Sequence, residues 1–175
     1  MSTKDQLYWK ILNAAIALDL QKGHLKWSIS SLALHCNISR TSVYYYFGKS
    51  KHDILTEAVS LIGQELSGST PARKELWDRG ELAAGFRASR LILQQTPELR
   101  TFYFIHRQKN NEIGRLIRKN EQKFYKKIGT YFPGAAALSE ALFSMFLGIV
   151  FDARLSDSGA DEAVKIILQG IEAKT

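Results

Sequence analysis

Apolar side chains recur along most of the chain at intervals of three and four residues, the period of an amphipathic helix. Leu7, Ile11, Ala15 and Leu18 form one such stripe, widened by Tyr8 and Leu12, and Gly23 ends it as a C′ residue. Ser28 is placed to cap a short helix carrying Ile29, Leu32 and Ala33. Asn37 stands where the chain must turn, and asparagine tolerates the left-handed backbone that such a turn requires. Ser39 is placed to cap a second short helix, Arg40 to Tyr46, which Gly48 ends. Ser50 caps a longer helix with Ile54, Leu55, Ala58, Val59 and Ile62 along one face.

Residues 68–71 read as a linker. Beyond them the pattern predicts a helix over 74–96, one starting at Pro97 as an N1 proline, and one over 112–131. Phe132-Pro133-Gly134 is a breaker, and two closing helices follow over 136–155 and 161–173. No strand alternation is sustained and no Asn-Gly or Asp-Gly hairpin turn occurs, so the expected fold is all-α, with about nine helices. Two domains are expected, residues 1–68 and residues 69–175.

The 175-residue length is enough to bury a core without disulfides or metals, and the 45% hydrophobic content argues against disorder. Cys36 is the one cysteine, which excludes an intrachain disulfide and a multi-cysteine zinc site. At an apolar position of a short helix it reads as a buried, inert thiol. The N-terminus lacks the apolar core of a signal peptide. The most apolar stretch, 141–151, is shorter than the ~20 residues a bilayer needs. A cytoplasmic protein without membrane contact is therefore expected. The formal charge of +7 suggests polyanionic partners. That charge is concentrated: residues 71–131 hold fourteen basic and six acidic side chains, whereas residues 1–70 carry a net +2.

Two short helices joined by a tight turn, with longer helices before and after, form a helix-turn-helix pattern. In it the second short helix enters the DNA major groove. Here that helix offers Arg40, Thr41, Ser42, Tyr44, Tyr45 and Tyr46 around an apolar anchor of Val43 and Phe47. Small and hydroxylated residues allow close approach to base edges, and arginine is the commonest reader of guanine. The tyrosines have a second reading, as residues packing on the first short helix.

Residues 11–59 resemble the N-terminal domain of the TetR-type transcriptional regulators. The resemblance rests on Ile11-Leu12-Asn13-Ala14-Ala15, Gly23, Ser28-Ile29 with Leu32-Ala33, Cys36-Asn37-Ile38-Ser39, Val43-Tyr44 with Phe47, and Lys51 with Ile54-Leu55. Asn37 and Thr41 stand where the family commonly has glycine, Tyr46 where it commonly has histidine, and the Gly48–Lys51 turn is one residue longer. The resemblance implies that Arg40, Thr41, Ser42 and Tyr45 face bases or the groove, and that Ser28, Tyr44, Tyr46 and Lys51 hold phosphates. Ser39 lies at the start of the same surface, and either Lys49 or Lys51 takes the part of the family's phosphate-contacting lysine.

The resemblance further implies a homodimer on a palindromic operator, with an effector cavity in the second domain and, by expectation, repression relieved by the effector. Leu138, Leu142, Met145, Phe146 and Ile149, with Val164, Ile167, Leu168 and Ile171, supply apolar faces for pairing, or else for closing a monomer core. Gln169-Gly170-Ile171 resembles the family's dimerisation end more loosely. Phe86, Arg90, Phe102, Tyr103, His106, Arg107 and Phe124 are the candidates for effector contact, and a minority of the middle-third cations suits an anionic effector.

Two other functions stand beside this one. The first is a DNA-binding structural or protein-interacting factor without a small ligand, which a filled second domain would favour. The second is an enzyme, but no GxSxG, phosphate-binding glycine loop or Ser/His/Asp spacing is present. No catalytic residue and no cofactor is assigned. His24, His35, His52 and His106 are scattered without metal-ligand spacing, so no metal site is expected.

Overall fold

The computed structural model describes residues 3–172. Among them are ten α-helices, one 3-10 segment and no strand. The helices are α1 (Thr3–Lys22), α2 (Ile29–His35), α3 (Arg40–Phe47), α4 (Lys51–Leu66), α5 (Pro71–Asp78), α6 (Leu82–Gln94), α7 (Glu98–Arg107), α8 (Glu112–Tyr131), α9 (Ser139–Phe151) and α10 (Asp157–Glu172). The 3-10 segment, Pro133–Leu138, leads into α9.

The single helix expected over 74–96 is two. Gly80 lies at φ 73° and closes α5: its N–H bonds the carbonyl of Trp77, and Glu81 N–H bonds that of Leu76. This is a Schellman pair, which stops a helix by satisfying its last carbonyls. The closing helix begins at Asp157, four residues ahead of the expected start.

The chain divides into two compact units, neither continuous in sequence: Met1–Leu61 with Glu98–Ile117, and Ile62–Pro97 with Arg118–Thr175. In the first, α1 is enclosed. Every residue from Ile11 to Asp19 except Asn13 is buried, because both α2 and α7 pack against α1. Phe102 and Ile113 from the second segment join Ile11, Leu12, Ile16, Leu32, Val43, Ile54 and Leu55 in one core.

In the second unit α6 is central and packs against α5, α9 and α10. Phe86 stacks on Phe146 at 4.0 Å, and Phe124 meets Trp77, Phe143 and Phe146 at 5.0–6.0 Å. Arg90 is buried here. Its guanidinium donates to the carbonyls of Ile149 (2.7 Å), Asp152 (2.8 Å) and Leu155, and to Asp157 (3.2 Å). It thereby ties down carbonyls at the end of α9 and in the turn that follows it. The helical run Pro133–Phe151 has 19 residues and is long and apolar enough to cross a bilayer, more than the expected eleven-residue stretch suggested. An apolar core helix has the same character, and α9 directs Leu142, Phe143, Phe146, Leu147 and Val150 into the core of this unit.

Candidate nucleic-acid interface

The interface is built by local capping. Ser28, in extended conformation, caps α2: its Oγ accepts from Ser31 N–H at 3.0 Å, and Ser31 Oγ accepts from Ser28 N–H at 2.9 Å. The two residues form a reciprocal capping box with serine in the place usually taken by Glu or Gln. After α2 the chain turns through a Schellman pair, Asn37 N–H to Leu34 and Ile38 N–H to Ala33, both 3.0 Å. The pair requires a left-handed residue, and Asn37 sits at φ 51°. Cys36 Sγ donates to the Lys10 carbonyl at 3.7 Å and ties the turn to α1. Burial pushes this thiol up to about 11, an effect that nearby Lys10 only partly offsets.

Ser39 caps α3, accepting from Ser42 N–H at 3.0 Å, and its hydroxyl lies 2.9 Å from that of Ser42. Val43 is fully buried, which sets the rotation of this eight-residue helix. Arg40, Thr41, Tyr44 and Tyr45, spaced i, i+1, i+4 and i+5, then share the exposed face, with Tyr45 77% exposed. Ser42 and Tyr46 are half-buried. Tyr46 meets Tyr8 edge-on at 6.3 Å, and Tyr8 stacks on Phe47 at 4.6 Å while donating its hydroxyl to Glu57 at 2.8 Å. Of the three tyrosines, Tyr46 is the one nearest to a packing role.

The two candidate lysines differ. Lys49 is exposed. Lys51 donates its ammonium to the carbonyls of Leu25 (2.6 Å) and Trp27 (2.9 Å), and so holds the connection between α1 and α2 against the start of α4. Ser50 caps α4 by accepting from Asp53 N–H at 3.1 Å. The ends of α2, α3 and α4 are thus each capped by a serine.

The residues considered for effector contact fall into two groups. Phe102, Tyr103 and His106 are buried in the first unit, with Arg107 half-buried there. Phe86, Arg90 and Phe124 lie in the second, where Phe86 and Phe124 border a hollow with room for about one water molecule. Arg87 and Arg90 are engaged with Asp161 and Asp157. Of the apolar residues considered for pairing, Leu142, Phe146, Val164, Ile167 and Ile171 are buried within their own unit. Leu138 and Met145 are exposed, and Ile149 and Leu168 are intermediate. Ile166, which the sequence pattern did not single out, is exposed on α10.

Sequence spacing also missed a meeting of Asp19, His24 and His106, whose donor atoms all lie within 4.8 Å of one another. The Asp19–His24 spacing was visible in the sequence. His106 arrives from α7 and carries no local signal.

Residues 11–58 match the family model described as bacterial regulatory proteins, tetR family. These residues are a TetR-family N-terminal domain. The TetR helix-turn-helix accounts for the capped α2–α3 pair within the matched residues. A solved structure from Mesorhizobium loti MAFF303099, of a protein assigned to the TetR-family transcriptional regulators, aligns over 99% of this chain and 98% of its own with a TM-score of 0.62. At 16% sequence identity that likeness extends the shared fold beyond the TetR N-terminal domain to the whole chain. No curated protein sequence matches the chain.

Proposed function

We propose that the chain is a dimeric repressor that binds a palindromic operator in double-stranded DNA and is released from it by a small-molecule effector. The observation that carries the DNA-reading part is the exposed row Arg40, Thr41, Tyr44 and Tyr45, on a helix anchored from behind by Val43. Arg40 is suited to guanine O6 and N7, and the tyrosine hydroxyls to phosphate oxygens. Lys49 takes the main phosphate contact, because the Lys51 ammonium is spent on two carbonyls. Selection of bound duplexes from a random pool should recover a two-fold symmetric site, and a pool without palindromic enrichment would refute the reading.

Pairing is supported by apolar side chains that the second unit leaves exposed, Leu138 and Met145 on the α9 side and Ile166 on α10. Two helices from each of two copies make a four-helix interface around a two-fold axis, which supplies the second half-site.

The second reading is a DNA-binding factor without a small ligand, which the close packing of Phe86, Phe124, Phe143 and Phe146 favours. A thermal-shift screen coupled to operator release separates the two. A metabolite that raises the melting temperature and dissociates the complex supports effector control. A broad library that does neither supports the ligand-free factor.

A further inference from the structure

We propose that Asp19, His24 and His106 form a binding site for a divalent transition ion of the zinc type. The three residues come from the end of α1, the α1–α2 connection and α7, all within the first compact unit. Asp19 Oδ2 lies 3.0 Å from His24 Nδ1 and 3.5 Å from His106 Nε2. A tetrahedral ion with bonds of about 2.0–2.1 Å to N and O ligands holds its donor atoms about 3.3–3.4 Å apart. The two edges to Asp19 bracket that value, and with all three donors within 4.8 Å of one another an ion requires the imidazoles to draw together by side-chain adjustment.

The surroundings prepare the carboxylate for this role. Its other oxygen, Oδ1, accepts from Leu25 N–H at 2.7 Å and from the Trp27 indole N–H at 3.0 Å. Oδ2 is left facing the imidazoles, the outer-shell arrangement that orients a metal-binding carboxylate. His106, 3% exposed at its side chain, is fixed by stacking on Phe102 at 4.2 Å. Its contact with Asp19 is long, and its Nδ1 is buried without a hydrogen-bond partner. A metal bond at Nε2 would replace that long contact with a short one. His24, 31% exposed at its side chain, leaves a path from solvent. Two imidazoles and one carboxylate favour zinc, cobalt or nickel over calcium or magnesium, and a water completes four-coordination.

The ion would cross-link α1, α7 and the connection that leads to the Ser28 cap of α2. DNA affinity should therefore depend on the metal, and by linkage the metal affinity on DNA. This last step rests on the operator reading, whereas the site itself does not.

The test uses the full-length, tag-free protein stripped with a chelator and titrated with Co2+. The expected result is one ion per chain with the intense visible absorption of tetrahedral Co2+, displaced by Zn2+. His24→Ala, at a half-exposed position, should weaken binding at least about tenfold. His52→Ala, outside the cluster, should leave it unchanged. A weak octahedral spectrum, no binding, or equal affinity in His24→Ala would overturn the site. Tetrahedral Co2+ binding without any palindromic DNA preference would keep the site and sink the operator reading.

Discussion

Gly48 sits at φ 67° and ψ −153°, a region open to glycine almost alone. A Cβ built there meets nothing within 4 Å, so the requirement comes from the backbone and not from space. Gly48→Ala should cost about 1–3 kcal/mol in urea unfolding and loosen the passage from α3 to α4. Cys36 gives a second expectation at this scale. A thiol raised to about 11 stays protonated near neutral pH, so native protein should alkylate far more slowly than unfolded protein at pH 8. Its contribution to stability is complete below the unfolded thiol's value of about 8.5 and is lost as pH rises toward 11. At the reading surface, Arg40→Ala should relax preference at one or two base pairs, by about 1–3 kcal/mol if the contact is bidentate. Lys49→Ala should weaken binding to all sequences alike and flatten the salt dependence, which filter-binding at several salt concentrations would measure.

Elements were legible to the extent that their causes are local. The capping serines Ser28, Ser39 and Ser50, the turn at Asn37 and the stop at Gly48 are written in adjacent residues, and the helix-turn-helix follows from them. The bounds of α8 agree with the expected 112–131 for the same reason. Gly80 was equally local, but the apolar period of its flanks masked a Schellman stop. Distant partners were not legible. The Leu7–Leu18 stripe describes half of α1, and the burial of Ala14, Ile16, Ala17 and Asp19 depends on α7. Arg90 looked like a ligand contact because an arginine among aromatics suits an anion. Its partners are the carbonyls of Ile149, Asp152 and Leu155, some sixty residues on. Arg90→Ala should therefore destabilise the protein by about 3 kcal/mol in urea unfolding, since three part-buried carbonyls lose a charged donor at once.

On the scale of the whole molecule, the +7 charge suggests polyanionic partners, yet the proposed recognition surface lies in the mildly basic first seventy residues. Exposed Arg115, Lys119, Lys123 and Lys126 on α8 hold much of the excess. Pairing through the exposed apolar residues is open to direct measurement. Met145→Glu should shift sedimentation equilibrium toward monomer and weaken operator binding, while Glu substituted at the exposed α8 position Lys123 should leave the oligomeric state alone.

The first compact unit is assembled from residues on both sides of an inserted stretch, 62–97. A cut at residue 68 would strip away Leu99, Phe102, Tyr103 and Ile113, all buried in that unit. During synthesis the DNA-reading helices emerge early, but the core that steadies them is incomplete until Ile117 has left the ribosome. A nascent chain halted before that point carries the α2–α3 pair without its scaffold, so the proposed DNA-reading surface would be steadied only late in translation.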